Sequence, residues 1–177
     1  ENIMNGYWND PDATSKTIID GWVHTGDIGE FDEEEYLKIT DRKKDIIVNA
    51  GGDNISPTRV EAKLDIEPEI AQSMLYGDYK NYLVAVIVPD KDFALNWAKE
   101  NGKDQKLESI VKDDDFNKLM KEVINRVNKN LSVIEQVRKF ILIDHEFTIE
   151  NSMMTVSMKV RRFAVKDKYQ EDLEKLY

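Results

Sequence analysis

DRKKDIIVNAGGDNISPTRVE, residues 41–61, packs an acid, a run of cations, a short apolar strand, a glycine pair and a helix start into one short span. Asp41, Arg42, Lys43, Lys44 and Asp45 are too charged for a strand interior, so the stretch opens as a polar turn. Ile46, Ile47 and Val48 then read as a short strand. At Gly51 and Gly52 the backbone turns, or approaches a ligand, with no Cβ in the way. Ser56 and Pro57 read as a helix N-cap and first helical residue, with an acid, Glu61, near the first turn. A glycine loop feeding a helix N-terminus suits an anionic or nucleotide-bearing ligand. An ordinary hairpin and loop accounts for the same residues.

Outward from this span the pattern alternates strands and helices. Asp10 before Pro11 starts a short helix over 10–17. Residues 22–28 and 36–40 read as strands of a hairpin joined by the acidic turn FDEEE. On the other side, 57–65 carries a weak helical face, and 70–77 and 82–89 (YLVAVIVP) read as consecutive strands. A helix over 93–101 is closed by Gly102. Phe116, Leu119, Met120, Val123, Ile124, Val127 and Leu131 recur at three- and four-residue steps and predict an amphipathic helix. Residues 137–144 form a last strand, and Val165, Tyr169, Leu173 and Leu176 stripe a closing helix. The expected class is α+β: a small domain with a short sheet packed by helices, preceded by a β-hairpin segment.

With 177 residues the chain can bury one core and a small appended piece. Its 41% hydrophobic and 34% charged residues describe a globular protein with a heavily solvated surface. A net charge of −10 argues against nucleic-acid binding through a bulk field. The basic clusters at 42–44 and 159–162 stand out against that acidity. With no cysteine there is no disulfide, thiol nucleophile or cysteine zinc site, and two isolated histidines, His24 and His145, make no metal cluster. No apolar run approaches the ~20 residues of a membrane span, and no secretory signal opens the chain. A cytoplasmic protein is expected, with peripheral membrane association as the other option.

Four stretches carry a family resemblance, in order along nearly the whole chain: MNGYWNDPDAT (4–14), GWVHTGD (21–27), the span 41–61, and NSMMTVSMKVRR (151–162). Together they resemble the adenylate-forming superfamily of acyl-CoA synthetases, peptide-synthetase adenylation domains and luciferases. VIEQVRKFILI (133–143) is similar to its AMP-forming long-chain fatty-acid–CoA ligase branch. The family's Ser/Thr-Gly-Thr-Thr-Gly phosphate loop does not occur, and the chain begins at Glu1 within a motif. The resemblance therefore implies residues 1–41 as the tail of the large adenylating domain and 42–177 as the mobile C-terminal domain. Alone, such a fragment is expected to be inactive. The implied reaction activates a fatty acid with ATP and Mg²⁺ to an acyl-AMP, then forms a thioester with CoA. The fatty acid, ATP, CoA and the chain's own N-terminal domain would be its partners, with most ATP and Mg²⁺ contacts in that absent domain. The other readings are an acyl-AMP ligase that delivers to an acyl-carrier protein, and a stand-alone binding module.

The resemblance also assigns roles. Lys159, in TVSMKVRR, matches the catalytic lysine; a compact point charge on a flexible stem can stabilise the anion that builds at the α-phosphate. Val156 stands where the family usually has proline, and Ser152-Met153-Met154 where Gly-Leu-Leu is commoner. Asp27 matches the carboxylate that accepts the ribose hydroxyls, and Arg42 the arginine that reaches the same ribose. Lys44 matches the hinge pivot. Gly51, Gly52 and Asn54 match the loop that faces the thioester-forming site. Without the family, Lys159 and Arg42 read as surface cations, Asp27 as a turn residue and the glycines as a strand-ending turn. Arg161 and Arg162 remain open between CoA phosphates, the large domain and solvent. Met153, Met154 and Met158 read as gap-filling, and Trp8, Trp22 and Trp97 as packing.

Overall fold

The computed structural model describes residues 3–177. The chain divides into two compact units, the first ending at Ile46 and the second running Ile47–Tyr177.

In the first unit, helix α1 (Pro11–Thr17) starts where expected: Asp10 accepts the Ala13 N–H at 2.8 Å and Pro11 opens the first turn. The strand expected over 22–28 is instead two elements. Strand β2 (Trp22–Val23) pairs back with β1 (Ile18–Ile19). The intervening Asp20 and Gly21 have φ of 51° and 80°, the paired positive values of a two-residue hairpin turn. The hairpin proper joins β3 (Asp27–Phe31) to β4 (Leu37–Arg42), antiparallel. Asp41 and Arg42, read as turn residues, extend β4. A two-stranded ribbon open to water on both faces tolerates charge at its end. Asp41 is buried, and its Oδ1 accepts the Arg42 N–H at 2.7 Å. Trp8 and Trp22 do not pack as expected; they are 94% and 76% exposed. One short helix and two ribbons cannot enclose an indole, and among the described residues this unit buries no apolar side chain.

The second unit centres on a three-stranded sheet in the order β7–β8–β9. Strand β5 (Ile47–Val48) pairs with β6 (Asn54–Ile55), and helix α2 (Pro57–Leu64) follows, with Ser56 Oγ accepting the Arg59 N–H. Strands β7 (Ile70–Tyr76) and β8 (Leu83–Pro89) are antiparallel. The chain then crosses through α3 (Lys91–Glu100), α4 (Leu107–Ile110) and α5 (Asp114–Asn128) before β9 (Val137–Leu142) lies parallel to β8. A parallel neighbour requires such a crossover. Helix α6 (Arg162–Glu174) closes the chain.

Every residue of β8 is buried, which explains its unbroken apolar run: a central strand covered on both faces has no polar side. Leu83, Ala85 and Ile87 face the cluster built on α2, α3 and α5, where Phe116, Met120, Val123 and Val127 lie. Val84, Val86 and Val88 face the second cluster, with Met153, Val165, Tyr169 and Leu173. Trp97 packs on Phe116 with ring centroids 4.9 Å apart, as expected for a packing residue. Removing a side chain such as Phe116 costs about 3–5 kcal/mol, so this unit carries its own core.

Candidate functional site

Asp27 and Arg42 come together because the β3–β4 register places them directly opposite each other. Arg42 Nε lies 3.1 Å from Asp27 Oδ1. Gly26, with φ of 73°, turns the chain just before Asp27, and its carbonyl accepts the Lys43 N–H at 2.8 Å. The Asp27 N–H donates to Thr25 Oγ1. This arrangement sets an acceptor and a fork of donors side by side at the end of an exposed ribbon, a fit for the vicinal hydroxyls of a sugar. Lys44 follows in a turn where the Arg42 carbonyl accepts from both Asp45 and Ile46 N–H. Its own side chain is exposed.

The glycine pair sits in the loop of the β5–β6 hairpin, so the hairpin reading of 41–61 holds for the backbone. Asn49 organises that loop: its Oδ1 accepts both Gly51 and Asp53 N–H at 2.9 Å, and its Nδ2 donates to Asp53. Gly52 has φ of 85°, a conformation that side chains resist. Asn54 pairs with Val48 in the ribbon. The loop is moored to the β7–β8 turn, since Ala50 N–H donates to the Lys80 carbonyl and Tyr79 N–H to that of Val48. The sequence signal for Asn49 was legible: an Asn just ahead of a glycine pair favours a side-chain-closed turn.

Lys159 occupies a second small hairpin. Met154 bridges Val160, the Thr155 N–H donates to the Lys159 carbonyl at 2.8 Å, and Thr155 Oγ1 accepts the Lys159 N–H at 3.1 Å. Met158, just before it, has φ of 59°. The side chain is exposed, with no carboxylate in ion-pair range among the described residues. A cation presented this way is unspent, able to meet an anion that approaches. Met153 and Met154 fill the core beneath, as expected, whereas Met158 and Val156 are exposed at the tip. Ser152, in place of the family's glycine, has φ of 63°, the backbone region glycine prefers.

Both arginines have a contact within the second unit. Arg162 grips Glu61 with both guanidinium nitrogens, and Arg161 Nη1 reaches the Ser152 carbonyl at 3.3 Å. Sequence reading missed Glu61 as a partner because 101 residues separate the two. An open cleft of about 470 Å³ between the ends of β8 and β9, with Lys91, Lys106 and His145 on its walls, includes none of the expected site residues. Among the described residues, no group of His, Asp or Glu is placed to hold a metal ion, and no helix is long and apolar enough to cross a membrane.

A small α+β unit with a glycine loop and a lysine-bearing hairpin, preceded in sequence by a ribbon that pairs Asp27 with Arg42, defines a class. The family model for the AMP-binding enzyme C-terminal domain matches residues 44–177, and the chain belongs to that family, as a C-terminal portion of the adenylate-forming enzymes. It is 35% identical over 177 residues to the long-chain-fatty-acid–CoA ligase FadD15 of Mycobacterium tuberculosis, covering 99% of this chain and 30% of that protein. Among solved structures it is similar to the adenylation domain of a carboxylate reductase from Mycobacterium chelonae, with TM-score 0.82, 28% identity and coverage of 98% of this chain and 26% of that one. The A-PCP didomain of the carboxylic acid reductase from Segniliparus rugosus, in complex with AMP, gives 0.78 and 28%, with coverage of 99% and 23%. The chain spans less than a third of the length of these relatives.

Proposed function

We propose that this chain is the C-terminal part of a long-chain fatty-acid–CoA ligase, in which the ribbon through Arg42 belongs with the large domain and the chain beyond Lys44 swings about that residue. The observation that carries the reading is the pairing of Asp27 with Arg42 on one ribbon, together with an exposed lysine in the 154–160 hairpin that meets no carboxylate in ion-pair range among the described residues. The 35% identity to a ligase of that name supports the substrate class.

Asp27 accepts the ribose hydroxyls of ATP while Arg42, now its ion-pair partner, turns its remaining donors to the same sugar. Lys159 stabilises the charge that gathers as the fatty-acid carboxylate attacks the α-phosphate and pyrophosphate leaves. The Gly51–Gly52 loop then presents bare backbone to the CoA arm as the thiol displaces AMP from the acyl carbon. One unit serving two half-reactions is hinge motion used twice. Mg²⁺ travels on the triphosphate and is held outside this chain. The exposed Trp8, Trp22, Phe31 and Leu37 of the first unit are suited to burial against the remainder of the large domain.

The A-PCP didomain among the structural neighbours brings one other acceptor into consideration, the thiol of a carrier protein. The full-length protein, given ATP, Mg²⁺, palmitate and CoA, should release AMP and form palmitoyl-CoA in equal amounts. AMP formation with acyl transfer only to a carrier protein would establish the second reading, and no AMP with any fatty acid would refute both.

A further inference from the structure

The Arg162–Glu61 pair links the helix that follows the glycine loop to the start of α6, just beyond the hairpin that carries Lys159. Arg162 Nη1 donates to Glu61 Oε1 at 2.5 Å, and Nη2 donates to Oε2. Their side chains are only 23% and 11% exposed. Glu61 Oε1 also accepts the Leu75 N–H at 2.7 Å, on the outer edge of β7, which has no strand beyond it among the described residues. One carboxylate thus joins α2, the sheet edge and the first residue of α6. Arg162 lies three residues after Lys159, about 10 Å of chain at full stretch.

The first arm of the Lys159 hairpin is tied down by the Met153 and Met154 N–H groups, which donate to the Thr148 carbonyl, and both arms rest on the second core through Met153, Met154 and Val160. Val156, Met158 and Lys159 are exposed, and the hairpin's own bonds, Thr155 to Lys159 and Arg161 N–H to the Met153 carbonyl, hold its shape rather than its direction. Met153, buried below, anchors one arm. The other arm, Val160–Arg161, runs into the arginine that Glu61 holds in two places, and a bidentate fork restricts rotation where a single contact would not.

We infer that Glu61 and Arg162 are positioning residues for adenylation: they set the direction in which the Lys159 hairpin leaves the body of the unit, so that the ammonium arrives at the reacting phosphate in register. The inference rests on the proposed role of Lys159. Because 1 Å of misplacement can cost on the order of 10²-fold in rate, partial loosening of the fork should cost roughly ten-fold.

The test uses the full-length protein. Glu61→Gln keeps the volume and an acceptor for the Leu75 N–H but loses the charge, while Arg162→Lys keeps the charge and loses the fork. Each variant should lower kcat of pyrophosphate exchange about ten-fold with KM for ATP unchanged, and should form thioester from supplied acyl-adenylate at the parent rate. The double variant should cost no more than the worse single one, since both remove the same link. A merely structural salt bridge would instead depress both half-reactions together, in step with a falling Tm, and that result overturns the inference. So does unchanged exchange in both variants when Lys159→Ala, run alongside, abolishes it. If Lys159→Ala itself leaves exchange intact, the role of Lys159 fails and takes the inference with it, a failure distinguishable from the first two.

Discussion

Lys159→Ala separates chemistry from folding more cleanly than any other substitution in this chain. The ammonium is exposed and pairs with no carboxylate among the described residues, so its loss leaves no buried charge stranded. The bonds that shape the hairpin use the Lys159 backbone and Thr155, and alanine retains them. Stability should therefore change by no more than about 0.5 kcal/mol, the range of an ordinary surface substitution. Adenylation should behave quite differently. One oriented donor at a developing anion is worth about 2.7–4 kcal/mol, or on the order of 10²–10³ in kcat. The assay is fatty-acid-dependent pyrophosphate exchange in the full-length protein, beside thioester formation from supplied acyl-adenylate and a thermal melt. The expected result is exchange lost by that factor, with the thioester step and Tm retained. Equal losses in both half-reactions, or a Tm that falls with the activity, would refute the assignment of the lysine to the first step.

Asp27→Ala should raise KM for ATP by roughly 10- to 100-fold, the equivalent of losing about 1.5–3 kcal/mol of charged hydrogen bonding; an unchanged KM with a lower Tm would make Asp27 a ribbon residue paired to Arg42 and nothing more. Lys44→Pro fixes φ near −65° in the turn that follows β4, where the Lys44 N–H donates to no backbone carbonyl among the described residues. One half-reaction should survive and the other stop, whereas two parent-like rates would remove Lys44 as the pivot. Asp65, at the C-terminal end of α2, is pushed up to about 6 by loss of water around its carboxyl, against the Ser73 hydroxyl that bonds it, and by the nearby charge of Glu61. Between its ordinary 3.8 and about 6 the folded chain binds more protons than the unfolded chain, so this group's contribution to stability is lost as pH rises through that window. Asp65→Asn should therefore melt higher than the parent near pH 8, with the advantage shrinking to nothing below about pH 4; an advantage independent of pH would contradict the raised value.

Local chemistry made much of this protein legible. Ser56-Pro57 and Asp10-Pro11 announced helix starts, because a side-chain acceptor and a residue lacking an N–H satisfy a helix N-terminus within three residues of chain. The run YLVAVIVP announced a strand covered on both faces, and the three- and four-residue spacing from Phe116 to Val127 announced α5. The pair at Ile18–Val23 was legible too, through Asp20-Gly21, and was read over in favour of one longer strand.

The family motifs named Lys159, Asp27 and Arg42, since chemistry that needs a fixed residue type leaves its mark in sequence order. They aimed Asp27 and Arg42 at one ribose but did not supply the direct ion pair between them. Asp27 meets Arg42 only because the hairpin register, with its irregularity at Ile28–Gly29, sets them opposite, and Arg42 meets no residue by sequence proximity that would predict it. The exposure of Trp8 and Trp22 follows from how little of a shell one helix and two ribbons can build, a property of the assembled unit and not of an indole. Glu61 and Arg162 lie on separate helices, each a plausible surface charge when read alone. Only packing of α2 and α6 about the edge of β7 takes them out of water, and a desolvated charge must find a partner. Sequence determined which groups were available and where the elements begin. The tertiary fold decided which of those groups touch, because contact depends on burial and register summed over the whole unit.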